Sequence, residues 1–345
     1  VGGIAAINKE NAVIEHCAVK NLFLYNQVNS DGGFMGGVTA QNLGAIRNCQ
    51  VGVSFEAVTT TTQEDEKYKG LRKAAAKNAS EGIAAGSLIK GGNTIGYSVA
   101  LISNAAEVRM GGIAGSNDEK GKIQGSYKDG PDYSVVSADL RFAAGGNSYY
   151  GNLGGIVGEN FSEVSGYEFS GYVRGTANDP AHAPEFNANY DLEPTGNRVY
   201  GYGGIAGING SDRNDSSASI RNCYLGMVKV QGTGAASNRA NVGGVTGFNG
   251  TGGIVSDITF SQQNEVLDAG QQPFSYQVNK TPVRSTFNGT VWVDAATYGH
   301  VGGVVGYNHG IVSDINWDPR YPGATGRAGL DKEQTENKYA LDEYF

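Results

Sequence analysis

The sequence predicts an all-β chain wound as a parallel β-helix, a solenoid with irregular loop insertions and one short inserted helix. Three observations predict it. A Gly-Gly-aliphatic step, followed four residues after the aliphatic by Asn or Ser, recurs eight times, starting at Gly2, Gly36, Glu81, Gly111, Gly154, Gly203, Gly243 and Gly302. Self-similarity at this period marks a stacked array in place of a single globular core. In the fullest copies the step runs on into two further short strands in fixed order, as from Gly203 through Ile220–Leu225 to Gly226–Val230. Composition agrees: 54 of 345 residues are Gly, only 8 are Pro, and Tyr, Val and Ile are plentiful, which suits short strands joined by tight turns.

Each position of the repeat has a physical reason. Ile4, Val38, Ile83, Ile113, Ile156, Ile205, Val245 and Val304 are expected to point inward and stack one coil above another at about 4.8 Å. Burying each contributes on the order of 1.5–3 kcal/mol, so the row forms a core spine. The preceding glycines leave room for a sharp bend or supply positive φ. Asn8, Asn42, Asn117, Asn160, Asn209, Asn249 and Asn308 fall where the strand ends, and Asn both tolerates the left-handed region and can bond its amide along a stack. They are read as a structural asparagine ladder.

On the second strand, Cys17, Cys49 and Cys223 each lie three residues after an aliphatic and so share one structural position. In-register parallel neighbours point their Cβ atoms the same way, which disfavours a bridge, so all three are expected as thiols in the core. The separations of 34, 45, 30, 43, 49, 40 and 59 residues bound the basic coil at 30 residues or less; the surplus must leave as excursions. Residues 63–78, with an Ala run, Lys residues and a capping-box-like start at Thr62, predict the inserted helix. Further excursions run from 178 to 197 and from 261 to 286. The solenoid is expected to span 1–319, with 320–345 a polar cap or linker. Seven steps predict a stack near 34 Å long, by about 4.8 Å per step.

The run GGIAG-x-N followed by Ile-x-Asn-Cys-Tyr-x-Gly, carried by Gly203–Asn209 with Ile220–Gly226 and less completely by Gly154–Asn160 and Gly302–Ile315, resembles the GLUG motif. The resemblance covers most of the chain in pattern. It implies location and architecture: such repeats occur in large secreted or wall-attached bacterial proteins, including adhesin-like chains and the non-catalytic part of immunoglobulin A-cleaving zinc metallopeptidases. It carries no catalytic residues to transfer.

Chemistry is sparse in the sequence. A zinc peptidase needs His-Glu-x-x-His on one helix face, and the four histidines, His16, His182, His300 and His309, never take that spacing. No Gly-x-Ser-x-Gly segment offers a serine nucleophile. Asp257 and Asp314 occupy equivalent places in Val-Ser-Asp-Ile runs, a potential acidic pair of a glycan-cleaving β-helix, but their repetition follows from the repeat and favours turn or surface carboxylates. Residues 211–216 have oxygen side chains spaced like half a calcium loop and lack the distal Glu. No cofactor or metal is expected. Tyr150, Tyr200 and Tyr298 lie three or four residues before their diglycines; aligned along one edge, they form a candidate surface for stacking on sugar rings or docking a protein.

The net charge of −8 with scattered Lys and Arg makes nucleic acid and anionic membranes poor partners. No apolar run is long enough for a membrane span. Val1 falls inside a repeat, which suggests a fragment whose signal or anchor lies elsewhere, and open coil ends invite end-to-end self-association or a neighbouring domain of the same chain. Together these readings predict a non-enzymatic extracellular or cell-surface module that presents loops and the Tyr edge to a host-surface protein or glycan. The alternatives are an accessory solenoid of a secreted metallopeptidase and a polysaccharide-cleaving β-helix.

Overall fold

A computed structural model describes residues 1–19, 22–26, 33–52, 99–103, 105, 107–126, 134–142, 150–176, 200–211, 217–233, 241–260, 283–287, 291–296 and 300–317. Among the described residues the chain is all β, built of long parallel sheets. The expected helix over 63–78, the Glu81 copy, the excursion 178–197, residues 261–282 of the other excursion and the segment 320–345 lie outside them.

Three walls form the stack. The first is a seven-stranded parallel sheet of Ala5–Asn8, Thr39–Asn42, Ala114–Asn117, Val157–Asn160, Ala206–Asn209, Thr246–Asn249 and Val305–Asn308, in that spatial order. The second, six-stranded, holds the segments leading into each diglycine, from Gly33–Gly36 to Val301–Gly302. The third runs from Val13–Glu15 to Ile311–Trp317 and continues past a corner into a broader sheet that includes Val135–Phe142, Glu168–Thr176 and Ser219–Thr233. Among the described strands only Val283–Phe287 and Val291–Ala296 pair antiparallel.

Register is kept at the motif itself: Asn8 stands beside Asn42, Asn42 beside Asn117, and so on to Asn249 beside Asn308. The Gly36 copy pairs directly with the Gly111 copy. No rung from the Glu81 copy comes between them, and among the described residues seven copies stack. Six steps make the stack about 29 Å long, not 34 Å. Val38, Ile113, Ile156, Ile205, Val245 and Val304 are buried in one continuous cluster, while Ile4, on the first rung with a neighbour on one side only, is 44 % exposed.

The diglycines act through space, not through positive φ. A Cβ on Gly36 would lie 1.9 Å from the Thr39 carbonyl oxygen, inside its own turn, and one on Gly37 would lie 2.1 Å from the Gly112 carbonyl oxygen of the next rung. None of the diglycine residues has positive φ. The left-handed conformation is spent elsewhere: at the turn residues Asn11, Gly52, Gly210 and Gly252, and in one column at the corner of the third wall, His16, Asn48, Gly166, Asn222, Asp257 and Asp314, with φ between 49° and 72°. The ladder asparagines are absent from that column, so it is their amides alone that the position requires.

Both protons of each amide from Asn8 to Asn249 are used. The Asn8 Nδ2 donates to Asn42 Oδ1 at 2.8 Å, and the chain continues through Asn117, Asn160, Asn209 and Asn249 to Asn308 at 2.8–2.9 Å. The second proton goes to the carbonyl that opens the next rung's third-wall strand, as from Asn160 to Ser219 at 3.2 Å and from Asn209 to Ile254 at 3.2 Å. Side chain thus ties two walls together across every step, and a buried amide is left with no orphan donor.

The cysteines are thiols, with Cys49 and Cys223 buried and Cys17 half-buried. Register extends their column through Ser134, Tyr167, Ile258 and Ile315. The small Ser134 separates Cys49 from Tyr167, and the Tyr167 hydroxyl spans that layer to accept the Cys49 backbone N–H at 3.2 Å. Burial pushes the Cys49 thiol up to about 11 and the Cys223 thiol up to about 12.

Candidate functional site

Immediately after each ladder asparagine the chain turns the corner from the first wall to the third, and this corner row carries unlike residues: Lys9, Leu43, Asp118, Phe161, Gly210, Gly250 and His309. The backbone here is committed to the stack. The N–H groups of Leu43, Asp118, Phe161, Gly210, Gly250 and His309 each donate to the carbonyl of the ladder asparagine one rung back, at 2.8–2.9 Å. With these N–H groups engaged, it is the side chains that differ from rung to rung along the corner.

Three of them, Leu43, Asp118 and Phe161, join Glu10, Glu119, Lys120 and Ser211 in lining an open groove of about 460 Å³ that draws on five consecutive rungs. The Lys120 ammonium reaches back over two rungs to both Glu10 carboxylate oxygens at 3.0 and 3.1 Å, closing one side of the groove. Asp118 accepts the Ser116 hydroxyl at 2.7 Å. Phe161 and Leu43 stay half-buried and offer the apolar part of the lining, while Glu119 is exposed.

The expected tyrosine edge is corrected at Tyr200. Tyr150 pairs with Glu107, and because Leu153 stands beside Tyr202, Tyr200 falls in line with Gly151, one residue out of step with Tyr150. An offset of one residue sends the side chain to the opposite face of a strand. Tyr200 is accordingly buried in the core, 8 % exposed, and offers no stacking face. Tyr298 lies outside the described residues. A different aromatic cluster occurs on the last rung, where the half-buried Tyr307 stacks on the buried Phe248 at 5.8 Å between His300 and His309, each 4.8 Å away.

Asp257 and Asp314 do stand on adjacent rungs, but both are exposed corner residues with φ of 53° and 54°, which accounts for Asp there without chemistry. Glu159 is a carboxylate of another kind. It is buried, accepts Arg109 Nε at 2.9 Å and Asn152 Nδ2 at 2.8 Å, and its pKa is raised by desolvation against the opposing pull of Arg109. Both partners belong to the wall, so Glu159 joins the first wall to the second. Among the described residues no group of three or more His, Cys, Asp or Glu is placed to hold a metal ion, and no helix is long and apolar enough to cross a membrane. Residues 212–216 of the calcium-like run lie outside the described residues.

Sequence reasoning missed the groove because Glu10, Leu43, Asp118, Phe161 and Ser211 are scattered over 202 positions (211 − 10 + 1) and share no residue type. A signal was present: the residue after each ladder asparagine has a fixed place, and aligning the copies puts Leu43, Asp118 and Phe161 in one row. No family model matches the chain, and no curated protein or solved structure was found similar to it.

Proposed function

We propose that the chain is a non-enzymatic structural and adhesive module of a large extracellular or cell-surface bacterial protein, a right-handed, three-faced parallel β-helix of the GLUG kind that presents its corner to a glycan on a host or neighbouring surface. The observation that carries this reading is the division of labour at the corner. Six N–H groups of the corner row and the ladder amides are engaged in the stack, and a groove spanning five rungs is lined by side chains that differ from rung to rung. Such a rod keeps its shape while its corner residues diverge, which is what a recognition scaffold requires. The GLUG resemblance supports the surface location, and the right-handed preference of parallel crossovers supports the winding.

A glycan array with the intact chain tests it, combined with assay of the same sugars for newly formed reducing ends. Retention of a defined glycan class without product supports the reading. Release of product would instead favour the polysaccharide-cleaving alternative, with Asp118 and Glu119 of the groove as the first residues to replace.

A further inference from the structure

The groove's own chemistry narrows its ligand, resting on the reading of the chain as a glycan-presenting module. We propose that it takes a strand of amine-bearing polysaccharide lying along the stack axis. Its five rungs extend over four steps, about 19 Å, a length that several linked sugar rings occupy and a single small molecule does not fill. An extended peptide would dock by main-chain pairing, and along the groove the N–H groups of Leu43, Asp118 and Phe161 are already donated to the stack. A sugar strand needs none. Its apolar ring faces pack on Phe161 and Leu43, which lie two rungs apart with Asp118 on the rung between.

Charge selects among sugars. The lining holds the three carboxylates of Glu10, Asp118 and Glu119 against the one ammonium of Lys120, in a chain of net charge −8. Lys120 is engaged with Glu10, so the remaining carboxylates set the sign of the groove. Lys9 precedes Glu10 in the chain and is not part of the lining; counting its ammonium as well, carboxylates still exceed ammonium groups three to two. A uronate or sulfated chain is repelled there, whereas a ring ammonium gains a carboxylate partner.

The test titrates glucosamine oligomers, their N-acetylated counterparts and polygalacturonate into the intact chain by calorimetry. The amine form should bind about tenfold tighter than the acetylated form, with the preference shrinking at about 0.5 M salt, and polygalacturonate should give no heat. Phe161→Ala should weaken both sugars about tenfold, and Glu119→Gln should weaken the amine form alone. Ser211→Trp, which fills the groove at its far rung, should block both and serves if Phe161→Ala lowers the melting temperature. Equal affinity for amine and acetylated forms, preference for the acidic chain, or full displacement by oligolysine of equal length overturns the proposal. Binding of another glycan untouched by these variants overturns it while leaving the module reading intact, and an absence of binding to any glycan removes both.

Discussion

Asn160 shows what one side chain contributes. Its amide donates to Asn209 Oδ1 at 2.8 Å and to the Ser219 carbonyl at 3.2 Å, and its oxygen receives Asn117. Asn160→Ala removes these bonds and strands the Asn117 donor in the core, so urea unfolding should show a loss of about 2–4 kcal/mol. The end residue Asn308, exposed and with one ladder neighbour, should cost less than half of that when changed to Ala. The thiols make a second residue-scale case. Cys49 and Cys223 are held protonated by burial, and their pKa values of about 11 and about 12 exceed the ordinary thiol value of about 8.5. A raised folded pKa stabilises below the unfolded value and is lost as pH climbs toward the folded one. Stability should therefore be level below pH about 8.5 and fall from there toward 11–12. Cys49→Ala with Cys223→Ala should flatten that decline in a pH series of thermal melts. A chromogenic thiol reagent should label Cys17 alone in the native protein and all three in denaturant.

At the scale of the element, the diglycine turn and the inserted segment behave oppositely. Gly112 has no room for a side chain: a Cβ would sit 2.3 Å from the Gly155 carbonyl oxygen, backbone that cannot yield without separating two rungs. Gly112→Ala should leave little folded protein, read as loss of the β signal and of cooperative melting. The 46 residues from 53 to 98 interrupt nothing, because Asn42 already bonds Asn117 at 2.8 Å and Val51 already pairs with Val136. Replacing residues 56–95 by a short Gly-Ser linker should keep the melting temperature within a few degrees, since loop length enters stability only logarithmically. This element was half legible in sequence. The motif spacing exposed an excess of residues between Gly36 and Gly111, but the Glu81 copy, EGIAAGS, satisfies the pattern closely enough to suggest a rung. The backbone pairing of the Gly36 copy with the Gly111 copy leaves it no place between them, and the missing first glycine and terminal asparagine were the local hints.

For the whole molecule, a stack held by nearest-neighbour contacts should loosen from an end. Ile4 is 44 % exposed where Val38 on the next rung is fully buried. Amide hydrogen exchange should accordingly be fastest at Ala5–Asn8 and slowest at Val157–Asn160 and Ala206–Asn209. A uniform protection profile would count against independent rungs. The chain by itself determined the repeat, the inward aliphatic column, the free thiols' shared position and the ladder. Each of those depends on residue type at a fixed offset, which a single strand already carries. Only the tertiary structure decided which copies are neighbours, which face Tyr200 takes and what meets at the corner groove. Those depend on register between strands tens of residues apart, and there a shift of one residue, invisible to composition or spacing, turns a side chain from the surface into the core.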